Sequence, residues 1–468
     1  MSTETTTAPS GLPDYLASAS PNPMSNRAPW YTNTAPTFAG IFLWFVFWDE
    51  MSRNGLTVGG LWPSLIGVVL GALVCHFLFY LTPGLLGMRT GMPLYVVGSS
   101  TFGTIGGLIM PGFLMGILQF GWLGVNTYAS AGFLNRSFGG DQNMFYALCV
   151  AWAVGAAFVG LKGIQYVAKV ATFLPIIPLI VLIVGLGLYG GSAFSYKPPA
   201  DPAATGGTLT SILVMAGAIV GFFATAGAAG VDFGVNSRDA GDVKMGGNIG
   251  IILAILLTAG VSVLVVAGAR ASGAITDEQF VMTEALSQKL SPTTFKLVMI
   301  GLTLASFPGA CFSSFIAANS FKTVMPKINP VISVGVGTVV SIALAVTGLA
   351  GDLPSVFGII GASFGPICGA MTADYLLNGR NWSGPRSGFN PAGWIAWAVG
   401  FFVGVMPNLH NASTLTKLPA ALRNVLSAIP DVPAAPIAAY IVGFVVYAVC
   451  FKIGLKTSAV PMPQRIDA

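Results

Sequence analysis

Charge is the scarcest property of this 468-residue chain: charged side chains make up 8% of its residues, against about 25% in an average soluble protein. So few charges cannot cover a water-facing surface, which excludes a soluble globular enzyme. Disorder is excluded too, because 54% of the residues are hydrophobic and disordered chains are poor in such residues. The basic residues stand singly or in pairs between apolar runs, so the basic stripe typical of nucleic-acid-binding proteins is missing.

Motifs for chemistry are missing as well. The five cysteines form no CxxC pair and lie in or beside apolar segments, which indicates small buried side chains rather than disulfides or metal ligands. The sequence contains no Walker motif and no HExxH motif. ATP-driven transport within this chain is therefore excluded, and we expect neither an enzyme nor an organic cofactor.

What the sequence has in abundance is long apolar runs. A helix that crosses a lipid bilayer needs about 20 apolar residues, and twelve such runs are separated by turn-forming segments. The pattern predicts an all-α integral membrane protein with about twelve spans, numbered here in chain order: 36–57, 60–86, 103–134, 143–162, 166–190, 208–234, 246–272, 294–320, 328–350, 353–377, 392–408 and 434–455.

The distribution of Lys and Arg predicts the orientation. Residues 1–35 are polar, rich in Ser, Thr and Pro, and lack the basic start and apolar core of a signal peptide. We interpret them as a flexible cytoplasmic tail, and 457–468 as a second one. With the N-terminus inside, the loops that face the cytoplasm hold most of the basic residues, as the positive-inside rule requires. We expect a plasma (inner) membrane protein with both termini in the cytoplasm.

Two spans show signs of interruption. Span 6 contains the Gly- and Ala-rich run 221–230, and span 1 carries Asp49 and Glu50 directly after an aromatic run. Interrupted spans at corresponding places in the two halves of a transporter point to a central substrate site, where half-helix ends face the ligand.

Gln119, Trp122 and Asn126 in span 3 share one helix face, because they are spaced three and four residues apart. A flat indole between two amides suits a flat, hydrogen-bonding heterocycle: the ring stacks on it and the amides bond its edge. The alternative is a packing Trp with amides that bond neighbouring helices. In span 6, Phe222, Phe223 and Thr225 offer an aromatic wall or, alternatively, ordinary helix packing.

Asp49 and Glu50 are costly at membrane depth, so a functional role is the default hypothesis: binding a cation, carrying a proton or accepting a substrate N–H. The alternative for Asp49 is an ion pair with Arg53, four residues on. In span 8, Thr303 and Ser306 share a face, and their hydroxyl oxygens suit a hard cation such as sodium. The alternative there is hydrogen bonding to the helix's own backbone.

Four short motifs resemble the nucleobase:cation symporter-1 family, especially bacterial cytosine permeases. They are QFGWLG at 119–124, GMRTGM at 87–92, GFFATAG at 221–227 and ADYLLN at 373–378. The motifs occur in the family's order between about 36 and 408.

The resemblance implies a leucine-transporter-like fold with a five-plus-five inverted repeat, helices 1 and 6 broken, and two extra helices. The ten-helix transport core would be 36–378, and the additional pair 379–456. It also implies cation-coupled uptake of a nucleobase, cytosine first, by alternating access. A purine, allantoin, a hydantoin or a vitamin-related pyrimidine is the alternative substrate, with coupling to protons as an option. A channel or membrane-embedded enzyme is a distant alternative.

The resemblance also implies roles for individual residues. Trp122 would stack on the base, Gln119 would bond its edge, and Asn126 occupies a place where some relatives carry a substrate-binding Gln. Phe47 would form the opposite wall. From span 6, the substrate would be contacted by Phe222, Phe223 and Thr225.

A sodium or other cation would be held by backbone oxygens of Leu43 and Val46 together with Thr303 and Ser306. This sequence departs from the family there, because Phe307 stands where members often carry a second hydroxyl residue. We therefore hypothesise that Asp49 or Glu50 replaces the cation site or moves coupling from sodium to protons. Intact coupled uptake after Glu50→Gln would contradict the role of Glu50.

Overall fold

The computed structural model describes residues 12–49, 51–162, 174–198, 207–276, 279–415 and 418–462. These ranges are helical, and their only extended pairings are two isolated bridges, Ala28 with Ser237 and Arg386 with Ala459. Ten of the helices in these ranges are long and apolar enough to cross a membrane, and two shorter apolar helices complete the set of twelve. The predicted all-α membrane architecture is confirmed.

The spans begin and end close to the predicted positions. Span 1 consists of Thr34–Leu43, Phe45–Asp49 and Met51–Leu56, and span 6 of Gly207–Ala228 and Gly230–Gly234. The other ten, in chain order, are Leu61–Thr90, Leu108–Phe138, Gln142–Lys162, Ile176–Ser195, Ala240–Ala271, Pro292–Val324, Pro330–Val346, Leu353–Leu377, Pro391–Ala412 and Ala435–Lys452. Part of the predicted span 5, from 166 to 173, lies outside the described residues.

Side-chain caps fix several of these ends. Asp239 accepts a hydrogen bond from the backbone N–H of Asp242, so span 7 begins at Ala240 rather than at 246. Ser291 caps span 8 and Asp352 caps span 10 in the same way. Each cap satisfies one of the N–H groups that a helix start leaves without an intrahelical partner.

The two halves of the core resemble each other in their irregularities. Spans 2 and 7 both contain π-helical segments, at Cys75–Tyr80 and at Asn248–Leu253, and such segments are rare in proteins. Short helices follow both spans: Leu94–Val97 after span 2 and Met282–Ser287 after span 7. This correspondence agrees with the five-plus-five repeat that the sequence resemblance implies.

The interruption of span 6 lies at the end of the Gly- and Ala-rich run 221–230. The Gly- and Ala-rich run continues as regular helix to Ala228, and the helix divides at Ala229. Close packing explains the regular stretch: a Cβ on Gly221 would lie 2.7 Å from the backbone oxygen of Phe357 in span 10. A helix that presents its small residues to a neighbour gains contact by staying helical.

Part of the segment predicted as a flexible tail packs on the protein. Within residues 12–33, here called the N-terminal strap, the guanidinium of Arg27 donates to the backbone oxygens of Met88 and Ser237. The hydroxyl of Tyr15 donates to the backbone oxygen of Thr104, at 2.7 Å. Burial raises the pKa of Tyr15 above its usual value, so this hydroxyl stays protonated and remains a donor. For residues 12–33 the prediction of a flexible tail is therefore corrected, and 1–11 lie outside the described residues.

The strap defines one end of the helix bundle, which we call the N-terminal face; the other end is the far face. Spans 11 and 12 pack against span 10. The indole of Trp397 donates to the backbone oxygen of Ser363, and the hydroxyl of Tyr447 donates to Asp374 at 2.7 Å. Asp374 is also paired with Arg386, so this buried carboxylate is charge-compensated.

Candidate substrate-binding site

The break in span 1 lies at Trp44. Its backbone leaves the helix, with φ −62° and ψ 125°, and a second short helix starts at Phe45. The carbonyl of Leu43, at the end of the first half, accepts a 3.0 Å hydrogen bond from the indole Nε1 of Trp48. The break therefore turns the aromatic side chains that follow it into the middle of the bundle.

Five rings meet beside this break, and we call them the aromatic cluster: Trp44, Phe47, Trp122, Phe222 and Phe357. The ring centroids of Trp122 and Phe222 are 5.1 Å apart at 78°, and those of Phe47 and Phe222 are 4.6 Å apart. Trp44 lies 5.9 Å from Trp122, and Phe357 lies 5.9 Å from it on another side. Spans 1, 3, 6 and 10 thus each contribute to one aromatic site, in which Trp44 is half-buried and the other four rings are buried.

The polar groups in and next to the cluster are few. The indole Nε1 of Trp122 donates to the hydroxyl of Thr225, at 3.1 Å. Gln119 is buried, and among the described residues its amide nitrogen donates to the soft sulfur of Met115, at 3.6 Å. The Nε1 of Trp44 is shielded from solvent and has no hydrogen-bond acceptor among the described residues. A buried donor without an acceptor is costly and is available to a ligand.

Phe223 lies outside the cluster. Its ring stacks on Phe42 at 5.6 Å and contacts Phe38 at the same distance. Phe38 in turn contacts Phe233 near the N-terminal face. These four rings, of which Phe233 is half-buried and the others are buried, form a column between the cluster and the N-terminal face. The structure therefore places Phe223 on the N-terminal side of the cluster rather than in it.

Asn126 is hydrogen-bonded to protein groups through both ends of its amide. Its amide nitrogen donates to the backbone oxygen of Ser306 at 3.0 Å, and its amide oxygen accepts from Trp152 at 2.8 Å and from Ser130 at 3.3 Å. These bonds connect spans 3, 4 and 8. The structure therefore separates Asn126 from Trp122 and Gln119, although one helix carries all three, and gives it the helix-bonding environment that was the alternative interpretation.

The two hydroxyl residues of span 8 are engaged as well. Thr303 donates to the backbone oxygen of Met299 at 2.9 Å. Ser306 donates to the backbone oxygen of Thr303 at 2.7 Å and lies 2.7 Å from the hydroxyl of Ser130. Val46 is buried in the short helix after the break. The structure thus places both hydroxyls in bonds within span 8 and to span 3.

Asp49 is buried and bonds a loop on the far face. One carboxylate oxygen accepts from the backbone N–H of Thr283 at 2.7 Å, and the other accepts from the side-chain hydroxyl of Thr283 at 2.9 Å. The hydroxyl of Ser52, on the next turn, donates to the backbone oxygen of Phe280 at 2.6 Å. Asp49 therefore anchors the loop and short helix between spans 7 and 8. Glu50 lies outside the described residues.

A pocket of about 310 Å³ opens on the far face. Its lining includes Arg53, Asn54, Asp352 and Phe357. The Phe357 ring also contacts Trp122 and Phe222. Phe357 therefore belongs both to the lining of the pocket and to the aromatic cluster.

Sequence reasoning missed two members of the cluster. Trp44 was visible as the first residue of the aromatic run in span 1, but the run alone does not say which ring faces span 3. Phe357 carries no local signal, because only the crossing of spans 6 and 10 at Gly221 brings it to the site. The arrangement as a whole, with a buried aromatic site at a broken helix midway through a bundle, is typical of secondary transporters.

Comparison with known proteins identifies the family. A sequence profile described as "Permease for cytosine/purines, uracil, thiamine, allantoin" matches residues 21–425. The cytosine permease of Escherichia coli strain K12 is 25% identical over 321 residues, which are 68% of this chain and 70% of that protein. A putative allantoin permease of the same strain is 24% identical over a 376-position alignment that covers 72% of this chain and 76% of that protein.

Solved structures agree on the fold. Mhp1 is a nucleobase-cation-symport-1 family transporter that was solved in a closed conformation with bromovinylhydantoin bound. This chain matches that structure with a TM-score of 0.62 and 17% identity, over 96% of this chain and 98% of Mhp1. Its inward-facing conformation gives a TM-score of 0.61 at 18% identity, over 94% and 97%. At such identities the match shows the fold alone.

Fold and site together define a multi-pass membrane transporter of the alternating-access type, and not an enzyme. Within that class the chain belongs to the nucleobase:cation symporter-1 family, because the family profile covers most of its length.

Proposed function

We propose that this chain imports a small planar heterocycle of the nucleobase type, with cytosine as the first candidate. The observation that carries the proposal is the buried cluster around Trp122, whose indole is held by Thr225. Five aromatic rings offer faces and edges to a flat ring system, and such contacts favour aromatic partners over aliphatic ones. Allantoin, a hydantoin, a purine or a vitamin-related pyrimidine is the alternative within the same site.

The polar groups support a ligand with hydrogen-bonding edges. The unpartnered Nε1 of Trp44 is a donor that suits a ring carbonyl. The Gln119 amide, one turn from Trp122, offers both a donor and an acceptor, as the edge of a pyrimidine or hydantoin requires. A site that hydrogen-bonds its substrate discriminates strongly against analogues without those groups, because they leave buried protein groups unpaired.

Two barriers on opposite sides of the cluster support alternating access. Toward the far face, Phe357 belongs both to the cluster and to the lining of the 310 Å³ pocket. Toward the N-terminal face, the path is filled by the column of Phe42, Phe223 and Phe38 and covered by the N-terminal strap. The distribution of basic residues favours a plasma (inner) membrane protein with both termini in the cytoplasm. In that orientation the pocket faces outward, and substrate that enters through it is transported inward.

The test is uptake of radiolabelled cytosine into proteoliposomes, under an inward sodium gradient, an inward proton gradient or neither. We expect saturable uptake that excess unlabelled cytosine inhibits and that Trp122→Ala abolishes. A competition panel of allantoin, a hydantoin, a purine and thiamine ranks the alternatives. Folded protein that takes up none of these compounds under any gradient would reject the proposal.

A further inference from the structure

Four short elements occupy equivalent places in the two halves of the bundle. The half-helices that follow the breaks are Phe45–Asp49 in span 1 and Gly230–Gly234 in span 6. Two connecting helices, as we call them, are Leu94–Val97 after span 2 and Met282–Ser287 after span 7. Each connecting helix contacts the span before it, the span after it and one half-helix: Leu94–Val97 contacts that of span 6, and Met282–Ser287 contacts that of span 1. The same pattern of contacts therefore occurs on both faces.

One carboxylate fastens each of these half-helix contacts. Asp49 in span 1 accepts from the backbone N–H of Thr283 at 2.7 Å, and Asp232 in span 6 accepts from the backbone N–H of Leu94 at 2.8 Å. Leu94 is the first residue and Thr283 the second residue of its connecting helix, where backbone N–H groups have no partner within the helix. The chain thus makes the same kind of bond, from the start of a connecting helix to a half-helix carboxylate, on the N-terminal face and on the far face.

The same half-helices carry aromatic rings on the two sides of the substrate site. Phe47 in span 1 belongs to the aromatic cluster, and its ring centroid lies 4.6 Å from that of Phe222. Phe233, the residue after Asp232, contacts Phe38 with centroids 5.0 Å apart, in the column toward the N-terminal face. A movement that opens either side by withdrawing the half-helix therefore also has to break the bond of its carboxylate.

We propose that Asp49 and Asp232 are a pair of equivalent latches, and that each bond holds its own face of the transporter closed and breaks when that face opens. Both bonds are formed together in this structure. In alternating access one repeat moves against the other around a fixed site, so a bond at the same place in each repeat fastens the two faces in turn. Both carboxylates are positioning residues, because they act through the half-helices. The inference does not depend on which heterocycle is carried.

The latch on the far face is the stronger of the two. Asp49 is buried, and its second oxygen accepts the hydroxyl of Thr283 at 2.9 Å, whereas Asp232 is exposed. Water weakens interactions of an exposed charge. The N-terminal strap supports the weaker side, because the ring of Tyr15 lies 6.0 Å from the ring of Tyr95, which belongs to the connecting helix that Asp232 holds.

The first experiment measures the latches without substrate. Hydrogen–deuterium exchange of the full-length protein is followed by mass spectrometry over the two connecting helices. We expect Asp232→Ala to speed the exchange of Leu94–Val97 roughly three- to tenfold, as the loss of one hydrogen bond does, and to leave Met282–Ser287 unchanged. We expect Asp49→Ala to do the reverse. Wild-type exchange of Leu94–Val97 in Asp232→Ala, or equal acceleration of both helices by either variant, would overturn the proposal.

Two further variants separate a latch from a general loss of structure. Asp239→Ala removes a carboxylate on the same face that also accepts a backbone N–H at 2.8 Å, but this bond lies within the start of span 7. We expect it to speed exchange at 240–247 alone. Asp232→Asn keeps an acceptor oxygen, so we expect it to restore most of the protection that Asp232→Ala loses. Equal acceleration of Leu94–Val97 by Asp239→Ala and Asp232→Ala would contradict a latch at Asp232.

The second experiment tests whether the latches decide which face opens. The KM for cytosine is measured from each side of oriented proteoliposomes, because apparent affinity falls with the fraction of protein that is open to that side. We expect Asp232→Ala to raise the ratio of the far-face KM to the N-terminal-face KM roughly three- to tenfold, and Asp49→Ala to lower it. We expect the ratio of Asp239→Ala to equal that of the wild type.

The ratio distinguishes the possible outcomes. A loss of structure alone does not move it in opposite directions in the two variants, so a ratio that is unchanged in both, or shifted the same way in both, would overturn the latches and leave the proposed function intact. Absence of transport of cytosine and of the whole competition panel by the wild-type protein would reject the proposed function, while the exchange measurement still decides the latches.

Discussion

The indole N–H of Trp122 donates a 3.1 Å hydrogen bond to the hydroxyl of Thr225, and this bond joins span 3 to span 6 inside the aromatic cluster. Both residues are buried. The bond fixes the plane of one of the two indole rings in the cluster, so the surface on which we propose that a flat substrate packs is set before the substrate arrives. Preorganisation of this kind raises affinity because less freedom is lost on binding.

Thr225→Val removes this acceptor while keeping the shape of the side chain. We expect the KM for uptake to rise roughly three- to tenfold with little change in maximal rate, since one hydrogen bond contributes about 1 kcal/mol. The matched control is Thr258→Val, which removes a buried hydroxyl that donates to its own helix in span 7, at 2.7 Å from the Ala254 carbonyl. An equal effect of the two substitutions would contradict a role of Thr225 in orienting Trp122.

Trp44→Phe removes the indole N–H that has no acceptor among the described residues. We expect the thermal midpoint to stay constant or to rise slightly, because burying an unpaired donor costs free energy. We expect affinity to fall for substrates with a ring carbonyl, which lose the N–H as a donor, and to change less for compounds without one. The measurement is inhibition of uptake by matched pairs of heterocycles; a uniform change across the pairs would contradict the assignment.

The sequence predicted what depends on periodicity and hydropathy, and missed what depends on how helices cross. The twelve spans and the break in span 1 were visible because bilayer thickness and the cost of buried charge leave strong patterns. The environment of Asn126 was not visible in the sequence, because its partners Trp152 and Ser306 come from two other spans. Phe223 points away from Phe222 since successive residues of a helix face different directions, and the packing of span 6 against span 3 decides that Phe222 is the one that meets Trp122.

Gly221→Ala tests how span 6 positions Phe357. A Cβ at this position would meet the backbone oxygen of Phe357 at 2.7 Å, closer than real Cβ contacts come, so spans 6 and 10 have to separate. We expect the ring of Phe357, which the pocket and the cluster share, to shift and uptake to fall severalfold. Gly335→Ala in span 9 is the control, because nothing lies within 4 Å of its added Cβ. Equal uptake by both variants would show that uptake does not depend on the close contact between Gly221 and Phe357.

Variants of Asp49 distinguish a structural role of this carboxylate from a role in coupling. Its two oxygens accept both donors of Thr283, so Asp49→Ala leaves those donors without their acceptor, and we expect a loss of about 2–4 kcal/mol in stability. Asp49→Asn keeps one acceptor oxygen for the backbone N–H, and Thr283→Val keeps that same bond while removing the hydroxyl. For both we expect a smaller loss, of about 1 kcal/mol, measured as a shift of the thermal midpoint.

The same variants decide the coupling hypothesis when gradient-driven accumulation is compared with substrate exchange at equilibrium. If Asp49 only anchors the loop between spans 7 and 8, Asp49→Asn lowers accumulation and exchange in proportion. If its charge couples transport to protons, Asp49→Asn retains exchange but loses accumulation, because the neutral side chain no longer titrates. Glu50→Gln, measured beside it, applies the same criterion to the neighbouring carboxylate: intact accumulation contradicts a coupling role for Glu50, and exchange without accumulation supports one.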